Sequence, residues 1–406
     1  MTRRCAPLRS EIPMTASPSN IIRGDLQDQK VADYQSPLGV TRTETVTLPG
    51  LRTQSGFTFE HMDVDYQTLG TLSPARDNAV LICHALSGSA HVAGLDPQAG
   101  RPGWWDYHVG PGKAVDTDKF FVICANVLGG CSGTTGPASP QPETGKPYGM
   151  DFPPVTIRDM VAVQIKLLDH LGIRQLFAVV GGSMGGMQAL ALAVDYPERV
   201  RVCVPVATCV SHTAMQIAFN EIGRRAILSD PNWNGGNYST DRRPTHGLAV
   251  ARMVGHVTYL SAFAMTHKFG RERQTERDTN GDETASFSVE SYLHHQGRSF
   301  VRRFDPNSYL YLTRAIDRFD LFESGPAVEV LRRVRARFLV ISFASDWLYP
   351  TAQSRELVRL LKRASIPVTY LNLETEYGHD SFLIENPAFA SVLRHYLENE
   401  YRHARN

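Results

Sequence analysis

Residues 175–197 read QLFAVVGGSMGGMQALALAVDYP. The run from Leu176 to Val180 is apolar without a break, the pattern of a strand covered on both faces, whereas residues 184–197 read as a helix closed by Pro197. Between the two stands Gly181-Gly182-Ser183-Met184-Gly185-Gly186, a G-x-S-x-G sequence at a strand-to-helix junction. A serine on so sharp a turn has strained backbone angles, and small neighbours let strand and helix approach without clash. The amide of Met184, at the helix N-terminus, is placed to donate to a developing oxyanion. A glycine-rich turn holding an incidental serine has the same letters, so the rest of the chain must decide.

Working outward, NAVLICHAL (78–86), KFFVICANVL (119–128) and RVRVCVPVAT (199–208) are further buried strands, and 157–172 has helical spacing at Val161, Ile165, Leu168 and Leu171. Apolar strands alternating with helices define a mainly parallel sheet covered on both faces. From 210 to 325 the alternation stops, and amphipathic helical stretches joined by polar loops take over. It resumes with the strand 336–345, a helix at 354–364, the strand 367–373 and a last helix near 386–400. The expected organisation is a flexible arm (1–44), a core in two parts (45–209 and 326–406), and a helical lid (210–325) inserted between them.

A serine hydroxyl needs a base, and the base needs a carboxylate to orient it. In α/β-hydrolase folds these follow the serine in the order carboxylate, then histidine, each after a late strand. Asp346 in ISFASDWLYP and His379 in TEYGHDSFL stand at those places. Each alone reads as a loop residue; three groups in the right order and setting read as a triad. The second oxyanion donor should come from the loop after an early strand, here His84-Ala85-Leu86-Ser87-Gly88, with the Leu86 amide as candidate. His84 precedes the serine and reads as a structural hydrogen-bonding residue.

Composition narrows the partners. Hydrophobic residues make up 42 % of the 406-residue chain and charged ones 20 %, enough apolar material for a packed core. Lysine plus arginine (42) nearly cancel aspartate plus glutamate (41), and a net charge of +1 gives no general attraction to nucleic acid or an anionic membrane, a local basic patch aside. No apolar run has the length of a membrane span, and the N-terminal segment lacks the apolar region of a secretory signal. An unstructured tail, or translation starting at Met14, is expected there. The six cysteines form no CxxC pair and sit mostly in apolar runs, which fits reduced thiols in the cytoplasm. No metal is expected. Asp278-Thr-Asn280-Gly-Asp282 departs from calcium-loop spacing, and His294-His295 lacks the i, i+4 spacing of a helical zinc pair. Gly129-Gly130-Cys131-Ser132-Gly133 lacks the G-K-[ST] ending of a phosphate cradle.

Longer segments carry a resemblance. ICHALSG (82–88), PGWWDYHVGPGKAVDTDKFFVICANVLGGCSGTTGP (102–137), TGKPYGMDFP (144–153), VGGSMGGMQAL (180–190), ARMVGHVTY (251–259), VESYLHHQG (289–297), RFDPNSYL (303–310) and YGHDSFL (377–383) resemble the homoserine O-acetyltransferase family of methionine biosynthesis. The resemblance implies an α/β-hydrolase fold, an acetyl group carried from acetyl-CoA by Ser183 to the hydroxyl of L-homoserine, and no cofactor beyond the acyl donor. It implies that Arg224, or its neighbour Arg225, grips the substrate carboxylate, that Asp380 holds the ammonium, and that homodimers form through the lid helices. Relatives using succinyl-CoA carry an arginine two positions after the catalytic aspartate; this chain has Leu348, which favours acetyl. Serine as acceptor stays open, since one methylene is weakly discriminated, and succinyl-CoA as donor stays open because Trp347 resembles the succinyl-type segment. So do water as acceptor, making the protein an esterase, and a non-catalytic binding protein of the same fold.

Overall fold

The computed structural model describes residues 35–273 and 287–405. Residues 1–34, most of the expected arm, and the calcium-loop-like segment 278–282 lie outside the described residues. Eight strands form one sheet: β1 (Glu44–Arg52), β2 (Thr58–Leu69), β3 (Ala79–Cys83), β4 (Phe121–Ala125), β5 (Leu176–Gly182), β6 (Val200–Val206), β7 (Arg337–Phe343) and β8 (Val368–Leu373). Their spatial order is β1-β2-β4-β3-β5-β6-β7-β8. β1, β2 and β4 pair antiparallel in sequence, and every other pairing is parallel.

The apolar runs fold as strands because helices cover both faces. On one face lie α1 (Ile157–His170), α2 (Met184–Asp195) and α9 (Thr351–Arg363); on the other, α10 (Pro387–Arg405) packs with Trp104 and Trp105. Every residue of β3 and β5 is buried as a result. The hairpin β1–β2 is absent from the sequence expectations. Its strands alternate polar and apolar residues, with Phe59, Met62, Val64 and Tyr66 turned to the core, so no continuous apolar run marks them. The end of the expected arm is also anchored, since the Ser36 hydroxyl donates to Asp106 (2.8 Å) and the Thr41 amide to the Leu95 carbonyl (3.0 Å).

Between β6 and β7 the chain leaves the sheet and forms α3 (Ala214–Leu228), α4 (Thr245–Tyr259), α5 (Ala262–Phe269), α6 (Ser288–Val301) and α7 (Pro306–Asp317), followed by the short α8 (Ala327–Leu331). The stretch 247–265, helical throughout by periodicity, bends by 106° between α4 and α5. Ser261 causes the break: its hydroxyl accepts from the Ala264 amide and starts a new helix. No single helix among the described residues is long and apolar enough to cross a membrane.

Phe389 on α10 is fully buried against Trp105, His108 and Phe343. Phe389→Ala is expected to cost about 3–5 kcal/mol, read as a lower denaturant midpoint, because the rigid aromatic walls cannot close the cavity. An unchanged midpoint would show that α10 is not part of the cooperative core.

Candidate active site

The serine turn follows from how closely three backbone segments meet. β3 and β5 are paired with Cys83 opposite Gly181, and α2 then crosses the end of β3. A Cβ on Gly185 would lie 2.0 Å from the Cys83 carbonyl oxygen, and one on Gly181 would lie 2.1 Å from the Gly185 carbonyl oxygen. Any side chain at either place forces strand and helix apart. The turn between them leaves Ser183 at φ 57° and ψ −123°, a conformation that costs about 1–3 kcal/mol. Four hydrogen bonds hold it there: the Ser183 amide donates to the Val206 carbonyl (3.0 Å), and the Ser183 carbonyl accepts from the Thr208 hydroxyl (2.8 Å) and from the Gly186 (2.9 Å) and Met187 (3.2 Å) amides.

The amide of Met184 opens α2 at the positive end of its dipole. The facing loop, with Leu86, is fixed from both sides. His84 is fully buried; its Nε2 accepts from the Val127 amide (3.2 Å), so Nδ1–H donates to the Ala85 carbonyl (2.8 Å). From the lid, Arg303 donates to the Ser87 carbonyl (2.8 Å) and Arg252 to the Ser87 hydroxyl (3.2 Å). His84 thus has a structural place.

Asp346 and His379 come together from the turns after β7 and β8. His379 Nδ1 donates to Asp346 Oδ2 at 2.7 Å, while Asp346 Oδ1 accepts from the Tyr349 amide at 2.8 Å. Both side chains are almost wholly buried. With Nδ1 engaged by the carboxylate, Nε2 is the ring nitrogen that can accept a proton. The imidazole is clamped between Tyr349, stacked at 4.9 Å, and the edge of Phe382 at 5.6 Å.

A narrow cleft of about 50 Å³ opens over Ser183, walled by Leu86, Leu348, Tyr349 and the lid residues Asn220, Tyr259 and Tyr309. Arg224 is buried one layer behind this wall, its Nη1 on Asp317 (2.6 Å) and its Nε on Glu221 (2.9 Å). Arg225 points outward, its side chain 72 % exposed, so of the two arginines only Arg224 faces the interior. Asp380 follows His379 on the same 3₁₀ turn and is half-buried, outside the cleft wall. Sequence reasoning missed His212, Tyr349 and Asp317. His212 lies 105 residues from Asp317 and 137 from Tyr349 in the chain, and no local spacing announces their meeting.

A mainly parallel sheet with a serine elbow after β5, and aspartate and histidine behind β7 and β8, defines the α/β-hydrolase fold, with Ser183, Asp346 and His379 at the three places where that fold can carry a Ser-His-Asp site. The family described as "alpha/beta hydrolase fold" matches residues 78–386. The chain is 53 % identical over 369 residues to a homoserine O-acetyltransferase of Methanohalobium evestigatum, covering 91 % of this chain and 75 % of that protein. The crystal structure of homoserine O-acetyltransferase from Bacillus anthracis is similar at a TM-score of 0.81 and 29 % identity, over 88 % of this chain and 98 % of that one. A crystallised esterase is similar at a TM-score of 0.80 and 34 % identity, over 88 % of this chain and all of its own. The chain belongs to the homoserine O-acetyltransferase family.

Burial pushes the His84 imidazole down from 6.5 to about 4. Between these values the unfolded chain binds a proton that the folded protein refuses, so the contribution of His84 to stability is full above pH 6.5 and fades towards pH 4. Asp65, which burial pushes up to about 6, titrates in the opposite sense over part of that interval, so a difference measurement is needed. The stability gap between the wild type and His84→Gln is expected to narrow by on the order of 3 kcal/mol as the pH falls from about 6.5 to 4. A gap that stays constant contradicts a histidine held neutral beneath the oxyanion loop.

Proposed function

We propose that this protein transfers an acetyl group from acetyl-CoA to the hydroxyl of L-homoserine through an acyl-enzyme on Ser183. The observation that carries the proposal is the assembled Asp346–His379 pair behind the Ser183 elbow, in a chain 53 % identical to a homoserine O-acetyltransferase. His379 Nε2 takes the Ser183 proton as Oγ attacks the thioester carbonyl, and the oxyanion is met by the amides of Met184 and Leu86. The carbon–sulfur bond breaks, and the coenzyme A thiolate leaves with the proton from His379. Homoserine then repeats the exchange in reverse: its hydroxyl loses a proton to His379 and attacks the ester. The carbon–Oγ bond breaks, and Ser183 regains the proton.

Acetyl is favoured as the acyl group because Leu348 lines the cleft and offers nothing to the second carboxylate of a succinyl group. A guanidinium suits a carboxylate, so Arg224 is assigned the acceptor's carboxylate and Asp380 its ammonium. All steps use side chains and backbone amides of the chain, with acetyl-CoA as a substrate rather than a resident cofactor. The described cysteines are free and mostly buried, which fits a reducing, cytoplasmic setting. The likeness to an esterase supports a second reading, in which water discharges the acyl-enzyme.

Coenzyme A release by the purified protein distinguishes the two. Release is expected to depend on homoserine, to be faster with acetyl-CoA than with succinyl-CoA, and to fall by about 10³-fold or more in Ser183→Ala and in Asp346→Asn. Equal release with and without any amino acid makes the protein a hydrolase, and full activity in Ser183→Ala removes the acyl-enzyme.

A further inference from the structure

Beyond the triad, a second chain of polar groups runs from the lid to the nucleophile. Asp317, at the C-terminal end of α7, is its hub. Its Oδ2 accepts from Arg224 Nη1 (2.6 Å), and its Oδ1 accepts from Asn220 Nδ2 (2.7 Å) and from His212 Nδ1 (3.0 Å). The other nitrogen of His212, Nε2, is 2.7 Å from the Tyr349 hydroxyl. Tyr349 in turn lies in the wall of the cleft with Ser183, its ring stacked on His379 and its amide bonded to Asp346. The buried phenol stays protonated: burial pushes it well above its ordinary value, and the Ser183 hydroxyl is its hydrogen-bonding neighbour on the cleft side.

The arrangement constrains the proton positions. A carboxylate only accepts, so His212 carries its proton on Nδ1, and in its neutral form Nε2 accepts from the Tyr349 hydroxyl. The Tyr349 oxygen then turns its lone pairs towards Ser183. Asp317, His212 and Tyr349 are all buried or nearly so, in surroundings where a misplaced partner is costly, so the position of each group fixes the next. One carboxylate therefore sets both the guanidinium assigned to the acceptor and the phenol beside the nucleophile.

We propose that Asp317, acting through His212 and Tyr349 on one side and Arg224 on the other, is a positioning residue that aligns the amino-acid acceptor with the acyl group on Ser183. The proposal rests on the acyltransferase reading given above. The relay bears more on discharge of the acyl-enzyme by the amino acid, where two bound groups must meet, than on discharge by water, which needs no alignment by Arg224. Tyr349→Phe tests it most gently, because the ring can keep its stack on His379 and only the oxygen is lost.

The full-length wild type, Tyr349→Phe, Arg224→Lys and the double variant are compared with acetyl-CoA at varied homoserine, following both homoserine-dependent transfer and acceptor-free hydrolysis. Tyr349→Phe is expected to lower kcat/KM for homoserine by roughly tenfold and acceptor-free hydrolysis by clearly less, so that the partition shifts towards water. The double variant is expected to lose less than the product of the two single losses, by about threefold or more, because both residues act through Asp317 without touching each other. Independent, multiplying losses overturn the relay, as does an equal fall in transfer and hydrolysis, the signature of general damage to the site. A wild-type enzyme without homoserine-dependent release overturns the acyltransferase reading and the relay with it; transfer with an unshifted partition overturns the relay alone.

Discussion

Backbone contact between α2 and the end of β3 is the constraint on which the site depends. With Gly185 against the Cys83 carbonyl, the helix starts as close to the sheet as atoms allow, and the one residue between strand and helix must turn through a left-handed conformation. That residue is Ser183. Because β3 and β5 are neighbours in the sheet, the loop after β3 and the first turn of α2 face each other across the serine. The two proposed oxyanion donors, Leu86 and Met184, thus come from adjacent strand ends, and strain in the serine backbone is sustained by the core beneath it.

The parallel sheet also explains why Asp346 and His379 meet. β6, β7 and β8 succeed one another outward from β5, so the turns after β7 and β8 open on the same edge as the elbow. Asp346 meets His379 there in a buried 2.7 Å hydrogen bond, and Tyr349 and Phe382 leave the ring little room to turn. The arginines at this edge are tied down: Arg224 lies on Asp317 and Glu221, and the lid arginines Arg252 and Arg303 reach down to Ser87. The lid is therefore tied to the loop that carries Leu86 as well as covering the cleft.

Much of this was legible in the sequence, for physical reasons. A parallel strand buried on both faces writes itself as a nearly unbroken apolar run, so β3, β4, β5 and β7 were readable from their apolar runs, whereas β8, the half-buried edge strand, was readable from its place between two helices. The elbow was readable because only glycine survives at Gly181 and Gly185, and the meeting of Asp346 with His379 because chain order and strand ends restrict where such a pair can stand. The hairpin β1–β2 was not legible, since one face of it meets water and its alternation is broken by Glu60-His61. The bend between α4 and α5 hid in a stretch whose helical periodicity continues through Ser261. The relay from Asp317 to Tyr349 left no trace at all: its members are loop and helix-end residues far apart in the chain, brought together by the packing of α7 against α3 and by the bridge between Ser211 and Asp320.

The central claim is that Ser183 carries the acyl group between donor and acceptor. Its most direct test is mass spectrometry of the protein after brief mixing with acetyl-CoA alone, followed by addition of homoserine. The account predicts an acetyl-sized mass increase on the peptide containing Ser183, discharged on adding the amino acid with O-acetylhomoserine as the product. Turnover with no acetyl group ever found on that peptide, or an acetyl group there that homoserine leaves in place, would contradict it.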